Sequence, residues 1–249
     1  MAERMTKGKE RILYDRFVLD YLNLSEVGFS ELQELLKQSS GSIDLIMHPD
    51  TLYTSDQGDK NIEINNKIEN EFLVWFIELV RSRVDKLVQN EFPKPIFIFV
   101  EKNGVERFSD ALEELLGNHL SKYGVVITTT ENNKGRPDLE LAKLTKSLNL
   151  EFNPGNSNIP VERFSYSGFV FLLKLLKISK VKLTGGFIGD KHPDYIDVYG
   201  RCLGILMTNL IFEKKKGWDI KISVSQQNTI FKDGIGWQDM LNAGIELEE

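Results

Sequence analysis

Cysteine is nearly absent: Cys202 is the single one in 249 residues. One thiol closes no disulfide within the chain. That excludes a disulfide-stapled scaffold and makes a reducing compartment, the cytoplasm, the expected location. Excess positive charge is missing too. The 31 Lys and Arg are outnumbered by 37 Asp and Glu, giving a formal net charge of −6 and a pI near 5.3. Proteins that live on nucleic acid carry a basic face or an elevated pI, so nucleic acid is not an expected partner. There is no long apolar run. The most apolar stretch, from Phe169 to Ile178, is interrupted by Lys174 and Lys177 and falls short of the roughly 20 residues that span a bilayer. The opening, Met1 to Glu10, is charged and has no apolar signal-peptide core, so no membrane is expected. Linkers, low-complexity tracts and internal repeats are also lacking.

What is present is ordinary for a globular protein: 41% apolar residues, 27% charged residues and a mean hydropathy of −0.25. These values exclude disorder, collagen-like repeats and coiled-coil rods. A chain of this size buries about 70% or more of its unfolded surface on folding. Along the chain, helical and strand patterns alternate. The first forty residues read as helical, with apolar spacing from Arg16 to Leu24 and a capping-box pattern, Ser30-Glu-Leu-Gln33, ahead of Leu35 and Leu36. Ile43 to Met47 is a short buried strand running into His48-Pro-Asp50. Apolar residues from Ile64 to Val88 fall at three- and four-residue spacings, which predicts a long amphipathic helix.

Ile96 to Val100 is a continuous apolar run, the pattern of a strand buried on both faces. A helix with Leu112, Leu115, Leu116 and Leu120 follows Ser109, then a β-branched strand from Val125 to Thr130, then a helix from Pro137 to Leu148. The second half repeats the alternation. Ser165–Lys177 is helical, Lys180–Thr184 a strand, Cys202–Lys216 helical, Asp219–Val224 a strand and Trp237–Leu241 a short helix. The expectation is a single three-layer α/β/α domain with a mostly parallel Rossmann-like sheet over residues 41–249, preceded by a helical N-terminal extension over residues 1–40.

In open α/β sheets ligands bind beyond the carboxyl ends of the strands. His48 and His192 both fall in such loops, each inside a His-Pro-Asp triplet. A metal reading takes His48, Asp50, Asp190 and His192 as ligands, since imidazole and carboxylate suit Zn²⁺ or Mn²⁺. The alternative is that proline stiffens two turns, and no tight pattern such as H-x-x-E-H supports a metal. His119, among leucines, reads as a boundary residue. Cys202 stands where the loop Tyr199-Gly200-Arg201 enters a helix. The helix dipole and the adjacent Arg201 favour a reactive thiolate there; the alternative is a small apolar residue packed in a helix face.

The order of segments in the second half resembles the isochorismatase-like cysteine hydrolases. Arg163-Phe-Ser-Tyr-Ser-Gly-Phe169, the leucines from Leu172 to Leu176, the strand Val181 to Gly185, Cys202 at a helix start and Gly217 to Ser225 follow the family's sequence of elements, over roughly residues 160–230. Ser167-Gly168-Phe169 stands in for the family's Ser-Ala-Phe, and Ile43–Met47 for its opening strand. The resemblance implies a hydrolase acting on a small-molecule amide or related C–N bond through a cysteine nucleophile, with no cofactor and with homo-oligomeric assembly. It places Cys202 as nucleophile, Asp50 or His48 as base, and His48, Gly186 and Phe169 around the substrate. The family's catalytic Lys falls on Arg163, which stays protonated and would hold an anionic group rather than shuttle a proton. The family's Asp would stand at the end of the first strand, where this chain reads Met47-His48; Asp44 lies mid-strand. Two other readings remain: a non-catalytic member of the fold acting as a binding or oligomeric scaffold, and a metal-dependent hydrolase built on the two His-Pro-Asp loops.

Overall fold

The computed structural model describes residues 26–47, 78–79, 81–82, 85, 89, 94–100, 123–129, 166–189, 199, 202–226, 229–231 and 234–248. The elements in chain order are α1 (Glu26–Gln38), β1 (Ser42–Met47), β2 (Ile96–Val100), β3 (Val125–Thr129), α2 (Ser167–Leu175), β4 (Lys180–Thr184), β5 (Phe187–Ile188), α3 (Cys202–Lys215), β6 (Lys221–Ser225), β7 (Ile230–Phe231), α4 (Trp237–Asn242) and β8 (Glu246–Glu248). Six strands form one sheet in the order β3-β2-β1-β4-β6-β8, and every described pair within it is parallel. This is a doubly wound order. The sequence of connections reverses between β1 and β4, which makes their carboxyl ends the switch point at which such sheets bind ligands.

The two faces of the sheet differ. Alternation along a strand sends Ile43, Leu45 and Met47 to one side and Asp44 and Ile46 to the other. The first side joins Phe97, Phe99, Leu183 and Val224 in a single core with residues from all four helices, among them Leu32 of α1, Leu172 of α2, Leu206 of α3 and Met240 of α4. On the second side Ile46, Ile96 and Ile98 are fully buried, but across β1, β4, β6 and β8 one register row reads Asp44, Lys182, Ser223, Glu246. Ion pairs line this polar half: Lys94 to Asp44 at 2.6 Å, and Lys180 and Lys182 to Glu248 at 2.8 and 3.4 Å. Burial alone would raise the Glu248 pKa. Hydrogen bonds from Lys180 and Ser223, with the charges of Lys180 and Lys182, outweigh it and hold the carboxyl down at about 2. The hydrogen bond to Glu248 likewise raises Lys180 above its ordinary value.

The expected strands at 43–47, 96–100, 125–130 and 180–184 are observed within a residue, and the fifth lies at 221–225 rather than 219–224. Three expectations change. Ser30 does not stand at a helix start, because α1 already runs from Glu26. Phe29 lies on the inward face with Leu32 and Leu36, so core packing carries the helix through the serine. The two-residue parallel ladder of β5 and β7 and the edge strand β8 are additional elements. The described positions of the expected helix at 64–88, among them Glu78, Leu79, Arg81 and Ser82, are helical. The helices expected at 112–120 and 137–148 lie outside the described residues. Among the described residues no helix is long and apolar enough to cross a membrane.

Candidate active site

At the carboxyl end of β4 the chain makes a turn through two glycines with positive φ, Gly185 (76°) and Gly186 (69°). Gly186 is where three segments meet. A Cβ built on it would stand 3.0 Å from Cys202 Sγ, 3.0 Å from Met47 Cγ and 3.2 Å from Met47 Cβ. Only a glycine allows both sulfur-bearing side chains to close on this backbone, and only a glycine holds the left-handed conformation without strain. The next backbone N–H, that of Phe187, donates to Cys202 Sγ at 3.4 Å. On the far side, Ile230 N–H donates to the Gly186 carbonyl at 3.2 Å and begins the β5–β7 ladder.

Cys202 is the first residue of α3. The residue is half-buried. The first N–H groups of a helix have no intrahelical partner and carry the positive end of the helix dipole. An N–H aimed at sulfur favours the anionic form over the thiol. The arrangement can therefore hold a thiolate at the switch point, with the Phe187 N–H directed at it. Its lining from β1 is apolar: Met47 is fully buried, and the Tyr166 hydroxyl approaches its Sδ at 3.9 Å.

Compared with protein-family models, curated proteins and solved structures, the chain matches none.

Of the residues the sequence singled out, the structure brings together Cys202 and Gly186. The ring of Phe169 is fully buried, edge-on to Phe99 at 4.4 Å and to Phe97 at 5.9 Å, so what the structure shows for it is core packing. Asp44 faces away from Met47 and is ion-paired to Lys94, which removes it from the neighbourhood of the thiol. His48, Asp50, Arg163, Asp190, His192 and His119 lie outside the described residues. Among the described residues no group of three or more His, Cys, Asp or Glu is placed to hold a metal ion.

Sequence reasoning passed over Tyr199 and Thr208. Tyr199 is fully buried, its N–H donates to Thr208 Oγ1 at 2.9 Å, and the Thr208 hydroxyl lies 3.3 Å from the Tyr199 carbonyl. A signal existed: Thr208 is a lone hydroxyl within the apolar run of α3, where a polar group needs a partner.

Proposed function

We propose that the chain is a divergent cysteine hydrolase of the isochorismatase-like type, built as a single three-layer α/β/α domain, that cleaves a small-molecule amide or related C–N bond. The observation that carries this reading is the seat of Cys202: first residue of a helix, at the β1/β4 switch point, with the Phe187 N–H directed at its sulfur. In the proposed reaction Cys202 Sγ attacks the carbonyl carbon, and the carbonyl electron pair moves to oxygen. Backbone N–H groups at the start of α3 stabilise that oxyanion. Collapse breaks the C–N bond, and the amine departs with the proton taken from the thiol by Asp50 or His48. Water then cleaves the thioester and restores the thiol. Arg163 would bind an anionic group of the substrate. The single cysteine adds a cytoplasmic location to the proposal, and the resemblance adds homo-oligomeric assembly.

A second reading has its own observation. Met47, not an acid, is the strand residue that closes on Gly186 beside the thiol, and a thioether takes no proton. On that basis the chain is a non-catalytic member of the same fold that binds a small molecule at the switch point. One experiment separates the two: the rate of Cys202 alkylation by iodoacetamide against pH on the native protein, followed by an amide screen with Cys202→Ser as control. The hydrolase reading expects a midpoint well below the ordinary thiol value of about 8.5 and turnover that Cys202→Ser abolishes. A thiol that reacts only on unfolding, with no turnover of any amide, leaves the binding reading in place.

A further inference from the structure

Among the described residues one buried hydroxyl has no hydrogen-bond partner: Oγ1 of Thr229, a residue only 9% exposed. Most buried side-chain polar atoms are paired, because a hydroxyl taken out of water without a partner carries a desolvation cost that nothing returns. Valine has the same shape and would fill the position without that cost. Packing alone therefore gives no reason for a threonine here.

The place of Thr229 in the fold supplies a reason. It lies in the chain that leaves the carboxyl end of β6, the strand paired with β4, and so at the end of the sheet where the switch point is. The next residue, Ile230, donates its N–H to the Gly186 carbonyl at 3.2 Å, and the ladder that follows pairs Phe187 with Ile230 and Ile188 with Phe231. Carried back one step, that register sets Thr229 beside Gly186, at about the 4.8 Å spacing of neighbouring strands. Alternation puts Thr229 on the side of Phe231 and Ile188. That side faces α3: Ile188 is fully buried, and its Cα is 3.7 Å from a Cβ built on Gly204. Cys202, the first residue of the same helix, brings its sulfur to 3.0 Å from a Cβ built on Gly186. Thr229 and Cys202 therefore flank Gly186, one from the chain after β6 and the other from α3.

We infer that Thr229 is a ligand-binding residue of the switch-point site: its hydroxyl hydrogen-bonds the amide group of a small molecule held against Cys202. A hydroxyl donates and accepts and turns to suit its partner, so it can take an amide carbonyl or an amide N–H. Met47, the other side chain that closes on Gly186, offers only a weak acceptor. The inference rests on the reading of Cys202 as the residue at which the substrate reacts, and adds the side chain that recognises the amide.

The test compares two iodides that alkylate Cys202 on the full chain. Iodoacetamide carries a primary amide next to the carbon that the sulfur attacks, and iodomethane carries none. In both, a C–S bond forms and iodide leaves with the electron pair of the C–I bond, so the thiolate fraction cancels in the ratio of the two rates. Thr229→Val should lower the ratio of iodoacetamide to iodomethane rates about fivefold, the worth of one neutral hydrogen bond. Thr229→Ser keeps the hydroxyl and should hold the ratio within about twofold of wild type. Thr229→Val should also melt no lower than wild type, since it removes a buried hydroxyl that the fold leaves unpaired. A ratio unmoved in Thr229→Val, or lowered as far by Thr229→Ser, overturns the inference. So does a valine variant that melts more than a few degrees lower or fails to fold, because the hydroxyl would then be holding the fold together. A wild-type thiol that reacts with neither iodide until the protein unfolds overturns the reading of Cys202 instead, and the assignment of Thr229 falls with it.

Discussion

Replacing Gly186 by alanine tests the geometry of the site through stability, without a substrate. Two costs add. At a φ of 69° a residue with a Cβ pays left-handed strain of about 1–2 kcal/mol. The new methyl would also stand 3.0 Å from Cys202 Sγ and from Met47 Cγ; crowding of this kind in a packed interior costs about 1–3 kcal/mol. The sum is a loss of about 2–5 kcal/mol. Gly244 supplies the control, because its φ is 72° and a Cβ there meets nothing within 4 Å. Gly244→Ala should therefore lose the strain alone, about 1–2 kcal/mol. Urea unfolding monitored by tryptophan fluorescence gives both numbers, with an unchanged m-value as the sign that only stability has moved. The difference between the two variants, about 1–3 kcal/mol, is the contact of the methyl with Cys202 and Met47. Adding Cys202→Ala to Gly186→Ala should recover part of it, since neighbours couple where distant sites add. If the two alanine variants are destabilised equally, and the double variant shows no recovery, then Cys202 does not lie against Gly186 and the site as described is wrong.

Two further outcomes are expected. Phe169→Ala should cost about 3–5 kcal/mol, the usual range for deleting a buried ring, because the side chain is fully enclosed against Phe97 and Phe99. A loss below about 1 kcal/mol in a melt would mean that the ring lines the ligand pocket rather than the core. The acid limb of stability should depend on Glu248, whose carboxyl is lowered from 4.5 to about 2. A depressed carboxyl stabilises the fold above its unfolded value and loses that contribution as pH falls through the folded one. The stability difference between wild type and Glu248→Gln should therefore shrink between about pH 4.5 and pH 2, and shrink with added salt; a difference that grew on acidification would refute the ion pairs with Lys180 and Lys182.

The strands were the most legible part of the chain, for a physical reason. Ile96–Phe99 is buried on both faces, and such a segment is apolar at every position whatever packs on it. Lys180–Thr184 was legible through its bounds rather than its pattern, since the turn glycines Gly185 and Gly186 end it. The edge strand β8 was not legible, because Glu246-Leu247-Glu248 is too short and too charged to stand out. Glu248 is explained only by Lys180 and Lys182 two strands away. Ser30 misled for the opposite reason: a local capping pattern was outweighed by the long-range burial of Phe29. At the site, the position of Cys202 at a helix start was visible in sequence. Its approach to Gly186 and Met47 was not, since these three residues are brought together by the sheet and not by spacing.

The parity of β1 narrows what can serve the thiol. Side chains alternate along a strand, so Met47 and Asp44, three apart, face opposite sides. Met47 has the side that meets Gly186 and Cys202; Asp44 has the other, where Lys94 holds it at 2.6 Å. A one-residue slip of β1 would exchange them, but the register against Ile96–Phe99 and Lys180–Thr184 is fixed on both sides of the strand. No carboxylate within β1 can therefore reach the sulfur. If Cys202 has a base from this strand's direction, it must come from the chain after Met47, and His48 and Asp50 are the nearest groups that can take a proton. On the proposed hydrolase reading, turnover depends on where that short stretch delivers its imidazole or carboxylate relative to Sγ, and the pH profile of Cys202 alkylation tests for a group that takes the thiol's proton.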